Sequence, residues 1–451
     1  MNIIIVGCGK VGYAIASQLT EEGHEITIVD SNAARLERAC SSLDTNGVVG
    51  NGTAYSVLLE AGINEADVFI AVTKHDEVNL LSCLIAKKAN NCQTIARVKQ
   101  PEYYEEIEFL SNELGISYAF NPELMTAREV FMLIHSPAAL EIDSFSKNSV
   151  NLMKAKIPEE SSLVNMSLKA MSSSIRSEVL VCIVERDKKV IIPSGDFVLK
   201  AGDTISFVVP MKQAYHFFKE IGLKPKSIKH VVIAGGGTIA YYLAKYLHEK
   251  TSVKVKIIEP NKTLCERLSN ALPYCMIING DINDTDLLEQ ENIADADALI
   301  GLSDVDEENI VFSLYASKMS KAKIITKINR SEFYGAFEDL PGSLVCPRNI
   351  TAESMIGFVR HLESSYGNVD AVYKLNNNQV EALEFSLDKS SKIVGVPIHS
   401  LNLKDNLLIC SISRGKKIIK PRGNDILEAG DTIVVVTTHK GLLAANDILK
   451  K

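Results

Sequence analysis

The chain writes one pattern twice, 228 residues apart. The apolar run Ile3-Ile4-Ile5-Val6 leads into Gly7-Cys8-Gly9-Lys10-Val11-Gly12, and Val231-Val232-Ile233-Ala234 leads into Gly235-Gly236-Gly237-Thr238-Ile239-Ala240. Leu199-Lys200-Ala201-Gly202-Asp203-Thr204 returns at the same spacing as Leu427-Glu428-Ala429-Gly430-Asp431-Thr432. A buried strand, a glycine turn and a helix start, in that order, form the phosphate-binding opening of a nucleotide fold. Such a fold duplicated together with a partner module points to a regulatory array more than to one catalytic centre. At 451 residues the chain is too long for a single core.

Within each copy, apolar runs alternate with helical periodicity. In the first, Ile3–Val6, Glu25–Val29, Gly47–Val49, Val68–Val72 and Thr94–Val98 read as strands. Lys10–Thr20, Ala33–Cys40, Val57–Ala61, Glu77–Ala89 and Tyr104–Leu114 read as helices. This alternation gives right-handed βαβ units and a doubly wound parallel sheet. Asn121-Pro122-Glu123 opens a further helix, with asparagine suited to the N-cap and proline to the first turn, and Pro137 stops it near His135-Ser136. From about Ala138 short extended runs take over at Leu152–Ala155, Val179–Glu185, Val190–Pro193 and Thr204–Val209. A linker through Lys224-Pro225-Lys226 leads to the second copy, with strands expected at Val231–Ala234, Val255–Ile258, Met276–Ile278, Ala298–Gly301 and Ile324–Lys327. Its extra helix is expected at Asn349–His361, and its last module from near Asp370. The fold class is therefore α/β. Two doubly wound parallel-sheet, Rossmann-like units (1–137 and 227–364) are each followed by a small α+β, β-rich module (138–222 and 368–451).

Composition removes several function classes. A formal charge of −8 argues against nucleic acid as the main partner, which needs a basic face. No run reaches the roughly 18–20 apolar residues that span a bilayer, and the apolar start lacks the basic flank and cleavage site of a signal peptide. A soluble, cytoplasmic protein that docks on a membrane partner fits these bounds. The nine cysteines contain no Cys-x-x-Cys pair and read as reduced core thiols. His135, His248 and His361 have no second ligand at four-residue spacing, so no metal site is expected.

The glycine turns carry the chemistry. Gly7 allows the tight turn, Gly9 lets backbone approach a phosphate, and Gly12 lets helix and strand pack closely; Gly235, Gly237 and Ala240 stand in the same places. Asp30 and Glu259 end the second strand of each copy, where a carboxylate accepts both ribose hydroxyls and repels a 2′-phosphate. That favours NAD over NADP but does not separate NAD from ATP, ADP or AMP. Gly50-Asn51-Gly52-Thr53 and Gly280-Asp281-Ile282-Asn283 follow the third strand and could cover an adenine. Thr73-Lys74-His75-Asp76-Glu77-Val78-Asn79 matches Ser303-Asp304-Val305-Asp306-Glu307-Glu308-Asn309. One reading makes Thr73 and Ser303 helix caps, with the acids meeting the dipole; the other puts Thr73, Lys74 and Asn79 at a ligand's edge. Arg97 and Lys327 end the fifth strands, where a cation meets a phosphate, a neighbouring subunit or a surface carboxylate.

These stretches, with Ile28-Val29-Asp30, Ala71-Val72-Thr73 and Ile95-Ala96-Arg97-Val98, resemble the RCK N-terminal (KTN) domain. Leu199–Thr204 and Leu427–Thr432 resemble the closing turn of the RCK C-terminal domain. The duplicated order resembles the tandem RCK/KTN family, the regulatory subunits of Trk-type potassium-uptake systems. The resemblance implies a non-enzymatic cytoplasmic gating ring, commonly a tetramer, peripheral on the inner face of the membrane beneath a Trk-type potassium channel subunit. NAD(H) and ATP or ADP would bind the clefts. Gly7, Cys8, Gly9, Lys10 and Val11 would cradle phosphate, Asp30 would hold ribose, and Thr53, Thr73, Lys74 and Val98 would line the rest. In the second copy Ala234-Gly235-Gly236-Gly237-Thr238, Glu259, Gly280-Asp281, Ser303 and Ile328 would do the same, although that copy departs from the family pattern at Ala240 and Gly280-Asp281. Each ligand would bias one ring state by its differential affinity, with about 1–3 kcal/mol of coupling per site. The stripes Val130, Phe131, Ile134 and Met355, Ile356, Val359 on the extra helices are candidates for the moving interface, or for core packing within one chain.

Two other functions compete. An NAD-dependent oxidoreductase is suggested by Tyr241-x-x-x-Lys245 and Tyr246-x-x-x-Lys250, but these lie on the helix that leaves the glycine turn, far upstream of where short-chain dehydrogenases carry such a pair. A soluble redox or nucleotide sensor acting on transcription would need a helix-turn-helix or a basic stretch, and neither is visible.

Overall fold

The computed structural model describes residues 1–145, 150–223, 226–330, 337, 340–364, 369–375, 379–415, 417–442 and 444–450. Lys224-Pro225 of the linker, and residues 368 and 451 that bound the last expected module, lie outside the described residues. The first half opens with β1 (Asn2–Val6), β2 (Glu25–Asp30), β3 (Asn46–Val49), β4 (Val68–Ala71), β5 (Gln93–Arg97) and β6 (Tyr118–Phe120). They form a parallel sheet in the order β3-β2-β1-β4-β5-β6. Helices cover both faces, so β1 and β4 are apolar on both sides and buried throughout apart from Asn2. An antiparallel sheet follows, of β7 (Glu141–Phe145), β8 (Val150–Lys156), β9 (Leu180–Arg186), β10 (Lys189–Ile191) and β11 (Thr204–Val208), in the order β10-β9-β11-β8-β7.

The second half repeats both layers. β12 (His230–Ala234), β13 (Lys254–Glu259), β14 (Met276–Asn279), β15 (Ala298–Gly301), β16 (Lys323–Lys327) and β17 (Ser343–Val345) run β14-β13-β12-β15-β16-β17. β18 (Val369–Leu375), β19 (Val380–Ser386), β20 (Leu407–Arg414), β21 (Lys417–Ile419) and β22 (Thr432–Thr437) run β18-β19-β22-β20-β21.

The structure adds elements to the sequence reading. Each parallel sheet has a sixth strand, β6 and β17, too short at three residues to show a period. The expected Tyr104–Leu114 helix is split into Pro101–Tyr104 and Ile107–Leu114. The first β-rich module also carries a helix, Met211–Glu220, which buries Ala214, Phe217 and Phe218. The duplicated Ala-Gly-Asp turn is explained by its carboxylate. Asp203 is 2 % exposed and accepts from both Nε and Nη2 of Arg186 at 2.7 Å and from the Lys200 N–H at 2.8 Å. Asp431 repeats this with Arg414 and the Glu428 N–H. Burial alone would raise both carboxyls, but the guanidinium and backbone donors outweigh it and hold them below the usual range.

The two halves exchange helices. Helix Pro122–His135 leaves the first sheet and packs on Thr238–Lys250 of the second half, while Pro347–Ser364 packs on Lys10–Glu21 of the first. Val130, Leu133 and Ile134 accordingly share a core with Leu243, Ala244 and Leu247. Met355, Ile356 and Val359 share one with Ile15, Ala16 and Leu19. The two stripes are thus core packing within one chain, and they are also the seam between its halves. Each buried Val, Leu or Ile there contributes roughly 1.5–3 kcal/mol. Asn121 caps its helix by accepting from the Leu124 N–H at 2.8 Å, and its Nδ2 donates to the Tyr242 hydroxyl of the other half at 3.0 Å. The antiparallel sheets also meet face to face, with Phe145, Val150, Leu152 and Ile183 against Leu375, Val380, Ala382 and Val434.

Candidate nucleotide site

Strand order reverses between β1 and β4, and at their carboxyl ends a cavity of about 630 Å³ opens. The first glycine turn forms part of its wall. Gly7 has φ +106°, in the range L side chains rarely adopt, and a Cβ there would lie 3.0 Å from the Thr73 backbone nitrogen. A Cβ on Gly12 would meet the Gly7 carbonyl oxygen at 1.9 Å, so helix and turn touch backbone to backbone. Gly9 faces open space and N-caps Lys10–Glu21 with no side chain on the free N–H groups. Those donors and the positive end of the helix suit an anion.

Asp30 ends β2 and is 8 % exposed. Its Oδ2 accepts from the Cys8 N–H at 2.6 Å, its Oδ1 accepts from the Asn32 N–H at 2.8 Å, and the Arg35 guanidinium lies 3.5 Å away. The carboxylate therefore braces the glycine turn and also lines the cavity. Cys8 contributes its backbone, because its side chain is buried. Burial first, then Asp30 and Cys40, push the thiol up to about 11 against the opposing pull of Arg35.

Gly50, Asn51 and Gly52 form one wall, Thr73, Lys74 and His75 another, and Arg97 stands between the cavity and the seam. Thr53 is not part of the lining; its N–H and hydroxyl donate to Asn51 Oδ1 at 3.0 and 2.9 Å. Asn79 and Val98 lie behind the wall, both fully buried. Asn79 accepts from the Thr73 N–H at 2.8 Å and the Thr73 hydroxyl at 2.7 Å, and donates to the carbonyls of Thr73 and Arg97. It staples the ends of β4 and β5 together.

Capping of the following helices is a correction. They begin at Asp76 and Asp306 with no side-chain cap, and Thr73 and Ser303 lie two residues before the cap positions, accepting there from the N–H groups of His75 and Val305. The acids have a second use. Asp76 Oδ2 accepts from the N–H groups of Lys99 and Gln100, and Asp306 accepts from those of Asn329 and Arg330, which ties down the loop after the fifth strand.

In the second half Gly235 has φ +103° beside the Ser303 backbone, and Gly237 again faces open space. Glu259 accepts from the Gly236 N–H at 2.8 Å and the Asn261 N–H at 2.9 Å, repeating Asp30 with one more methylene. Ala234 and Ile328 are fully buried, and a Cβ on Gly280 would strike Leu287 at 2.2 Å. Asp281 closes its own turn by accepting from Asn283, and Asn309 staples Ser303 to Lys327 as Asn79 does in the first half.

Neither fifth-strand cation is a surface residue. Arg97 lies 3.3 Å from Glu123, with its Nε buried and unpartnered. Lys327 is 3 % exposed and lies 3.0 Å from Asp304.

Sequence reasoning missed Arg35, Ser31 and His75 in the lining. A basic residue in the first turn after the ribose acid was the available signal for Arg35. The Tyr-x-x-x-Lys residues serve the seam, where Lys245 pairs with Glu105 at 2.7 Å and the Tyr246 hydroxyl accepts from Arg128 at 2.6 Å.

The TrkA-N domain model matches residues 3–122 and 231–346, and the TrkA-C domain model matches 152–222 and 382–450. The chain is 31 % identical over 450 residues to the Trk system potassium uptake protein TrkA of Haemophilus influenzae, covering 98 % of this chain and 96 % of that one. It is 32 % identical over 447 residues to that of Halomonas elongata (98 % and 96 %), and 30 % identical over 443 residues to TrkA homolog 1 of Methanosarcina mazei (96 % and 97 %). Among solved structures, the GsuK channel matches with TM-score 0.63 at 19 % identity, and the GsuK channel bound to NAD with 0.61 at 18 %. Both cover 97 % of this chain and 77 % of theirs.

Proposed function

The chain belongs to the TrkA family of potassium-uptake regulatory proteins, and from that premise we propose that its first cleft binds NAD(H) or an adenine nucleotide and that occupancy gates a Trk-type potassium channel subunit. The proposed working units are 1–137, 138–222, 227–364 and 368–451. One observation carries the binding reading: the open turn at Gly9, Asp30 and Arg97 line one cavity at the carboxyl ends of the strands. The turn's N–H groups would take the phosphates, the remaining lone pairs of Asp30 would take the ribose hydroxyls, and Gly50–Gly52 would cover the adenine. The related channel of like fold bound to NAD supports the choice of ligand class.

Gating follows if a ligand binds one arrangement of the two halves more tightly than another, because a ligand with equal affinity for both shifts nothing. The exchanged helices are where such a difference would be transmitted, since each starts beside one cleft and ends in the core of the other half. No helix among the described residues is long and apolar enough to cross a membrane, so the pore belongs to a partner in this proposal. Calorimetric titration of the full chain with NADH, NAD, ATP and ADP tests binding. Potassium flux through vesicles holding the partner channel, with and without this chain and each nucleotide, tests gating. Turnover of a small alcohol or acid with NADH would overturn the non-enzymatic reading.

A further inference from the structure

Cys182 and Cys410 stand at the same place in the two copies, 228 residues apart, and the fold brings them together. Both belong to the apolar cluster between the two antiparallel sheets, where β9 of the first half meets β20 of the second. Each sits on a β-bulge. Ser206 of β11 pairs with Ile183 and Phe207 with Val181, which leaves Cys182 as the extra residue of β9. Val435 of β22 pairs with Ile409 and Val434 with Ser411, which leaves Cys410 as the extra residue of β20. A regular strand alternates its side chains between two faces, and a bulge re-aims one of them. Cys182 and Ile183 accordingly both enter the space between the sheets, although they are consecutive. There the two thiols are neighbours: Cys182 first, then burial, pushes the Cys410 thiol well above its ordinary range.

We propose that Cys182 and Cys410 are a thiol pair that hydrogen peroxide oxidises to a disulfide, a reversible covalent tie between the two β-rich modules. The inference is independent of the nucleotide cleft. Cys8 with Cys40, and Cys83 with Cys92, also feel each other's charge, but each of those pairs lies within one parallel-sheet unit and would join nothing across the seam.

The two sulfurs have different roles. Half-buried Lys420 lies close enough to Cys182 for a thiolate there to oppose the lowering that burial imposes on the lysine. An ammonium beside a thiol favours its thiolate, which is the nucleophilic form. Cys410 keeps its proton while Cys182 is charged. The Cys182 thiolate attacks one peroxide oxygen and the O–O bond breaks. Cys182 becomes a sulfenic acid, and the other oxygen leaves as water with the proton that Cys182 gave up. The Cys410 sulfur then attacks the Cys182 sulfur. The S–S bond forms, the S–O bond breaks, and the hydroxyl leaves as water with the Cys410 proton. Two thiols lose two electrons and one peroxide becomes two waters. A dithiol reductant reverses the link by exchange.

The oxidant enters from the sheet edge. β10 pairs with β9 at Val184–Arg186 and β21 pairs with β20 at Ile412–Arg414, so among the described residues no strand flanks either cysteine on its outer side. Both side chains are closed to solvent at rest, 0 % and 1 % exposed, and local opening of that edge admits a molecule as small as hydrogen peroxide.

The test treats the reduced, folded full chain with hydrogen peroxide, blocks remaining thiols in denaturant, and maps tryptic peptides by mass spectrometry without reductant. Ser177–Arg186 and Asp405–Arg414, each with one cysteine, should appear joined, and dithiothreitol should separate them. The oxidised chain should melt about 5 °C higher than the reduced one, a gain lost in Cys182→Ala and Cys410→Ala. Dimedone should trap a sulfenic acid on Cys182 in Cys410→Ala, and none on Cys410 in Cys182→Ala. Thermal unfolding of the reduced variants checks the fold, and should an alanine variant not fold, Cys182→Ser and Cys410→Ser take its place. Joined peptides missing from the folded chain, or formed only in urea, would overturn the proposal. An unchanged melting temperature on oxidation would overturn the tie between modules, and dimedone on Cys410 would overturn the assigned roles.

Discussion

At the rim of its cleft the first half sets Lys74 where the second sets Asp304, Asn51 where the second has Asp281, and Arg35 where the second has Leu264. The backbones agree closely: both first glycines have φ near +105°, both ribose acids brace their turn, and both asparagines staple the fifth strand. Duplication has kept the acid brace of the turn and the asparagine staple that build the cleft, and has made what faces into it more acidic. Two size exchanges show the same economy. Val6 beside Gly52 becomes Ala234 beside Ile282, and Cys8 with Asp30 becomes Gly236 with Glu259. The framework and the ligand surface are thus separable, and a substitution reports on one or the other.

The largest expected effect falls on what the halves share. Leu133 and Met355 are the buried knobs of the two exchanged helices, 1 % and 0 % exposed. Leu133→Ala and Met355→Ala should each cost about 3–4 kcal/mol in denaturant unfolding, through lost burial and the cavity left behind. A cost under 1 kcal/mol for either would break the equivalence, leaving one helix docked and the other merely laid on.

The next separates the ribose acids. Asp30→Ala should weaken nucleotide about a hundredfold, or about 2.7 kcal/mol, while Glu259→Ala changes the same isotherm less than threefold. Both should lower the thermal midpoint by similar amounts, because each removes an acceptor from two backbone donors, at roughly 1–3 kcal/mol. Loss of ligand binding in both variants would give the second half a nucleotide of its own.

Most of the framework was legible in the sequence because it is periodic. Apolar runs, glycine turns and the asparagine cap of the extra helix all follow from local rules. What escaped was non-local. Arg35 enters the site from a neighbouring helix, and the three residues of β6 or β17 have no period to detect. The helix exchange could not be read, because the Val130 and Met355 stripes look the same whether they face their own sheet or the other half. Asn79 looked like a lining residue because it follows the β4 turn, but only the fold shows that its amide is used up by Thr73 and Arg97.

A smaller effect sharpens the size exchange. Gly52→Ile alone should destabilise, since a Cβ there lies 2.2 Å from Val6 Cγ1. Adding Val6→Ala should recover most of that loss and recreate the Ala234–Ile282 pair. The double variant should then bind nucleotide about tenfold more weakly at near-normal stability. A thermal cycle of the four proteins measures the coupling, expected at roughly 1–2 kcal/mol. Additive behaviour would mean that the two positions do not share space.

The smallest effect concerns a residue with no counterpart across the duplication. At the head of the fifth strand the first half has exposed Gln93 and the second has Lys323, whose ammonium donates to the Ala139 carbonyl and to the Ser343 hydroxyl at 2.8 Å. No carboxylate among the described residues pairs with it, and burial brings its pKa down to about 7. The unfolded chain holds this proton up to about pH 10.5, whereas the folded one releases it from about 7. Stability contributed through this residue is therefore level below pH 7 and rises between about 7 and 10.5, where the unfolded state binds more protons. Its slope cannot exceed about 1.4 kcal/mol per pH unit. Lys323→Met should remove that rise, seen as a flatter pH dependence of urea unfolding from pH 7 to 9, while Gln93→Met leaves it as it was. An unchanged slope in Lys323→Met would place the ammonium in water and detach the Ala139–Leu140 segment from the second half's sheet.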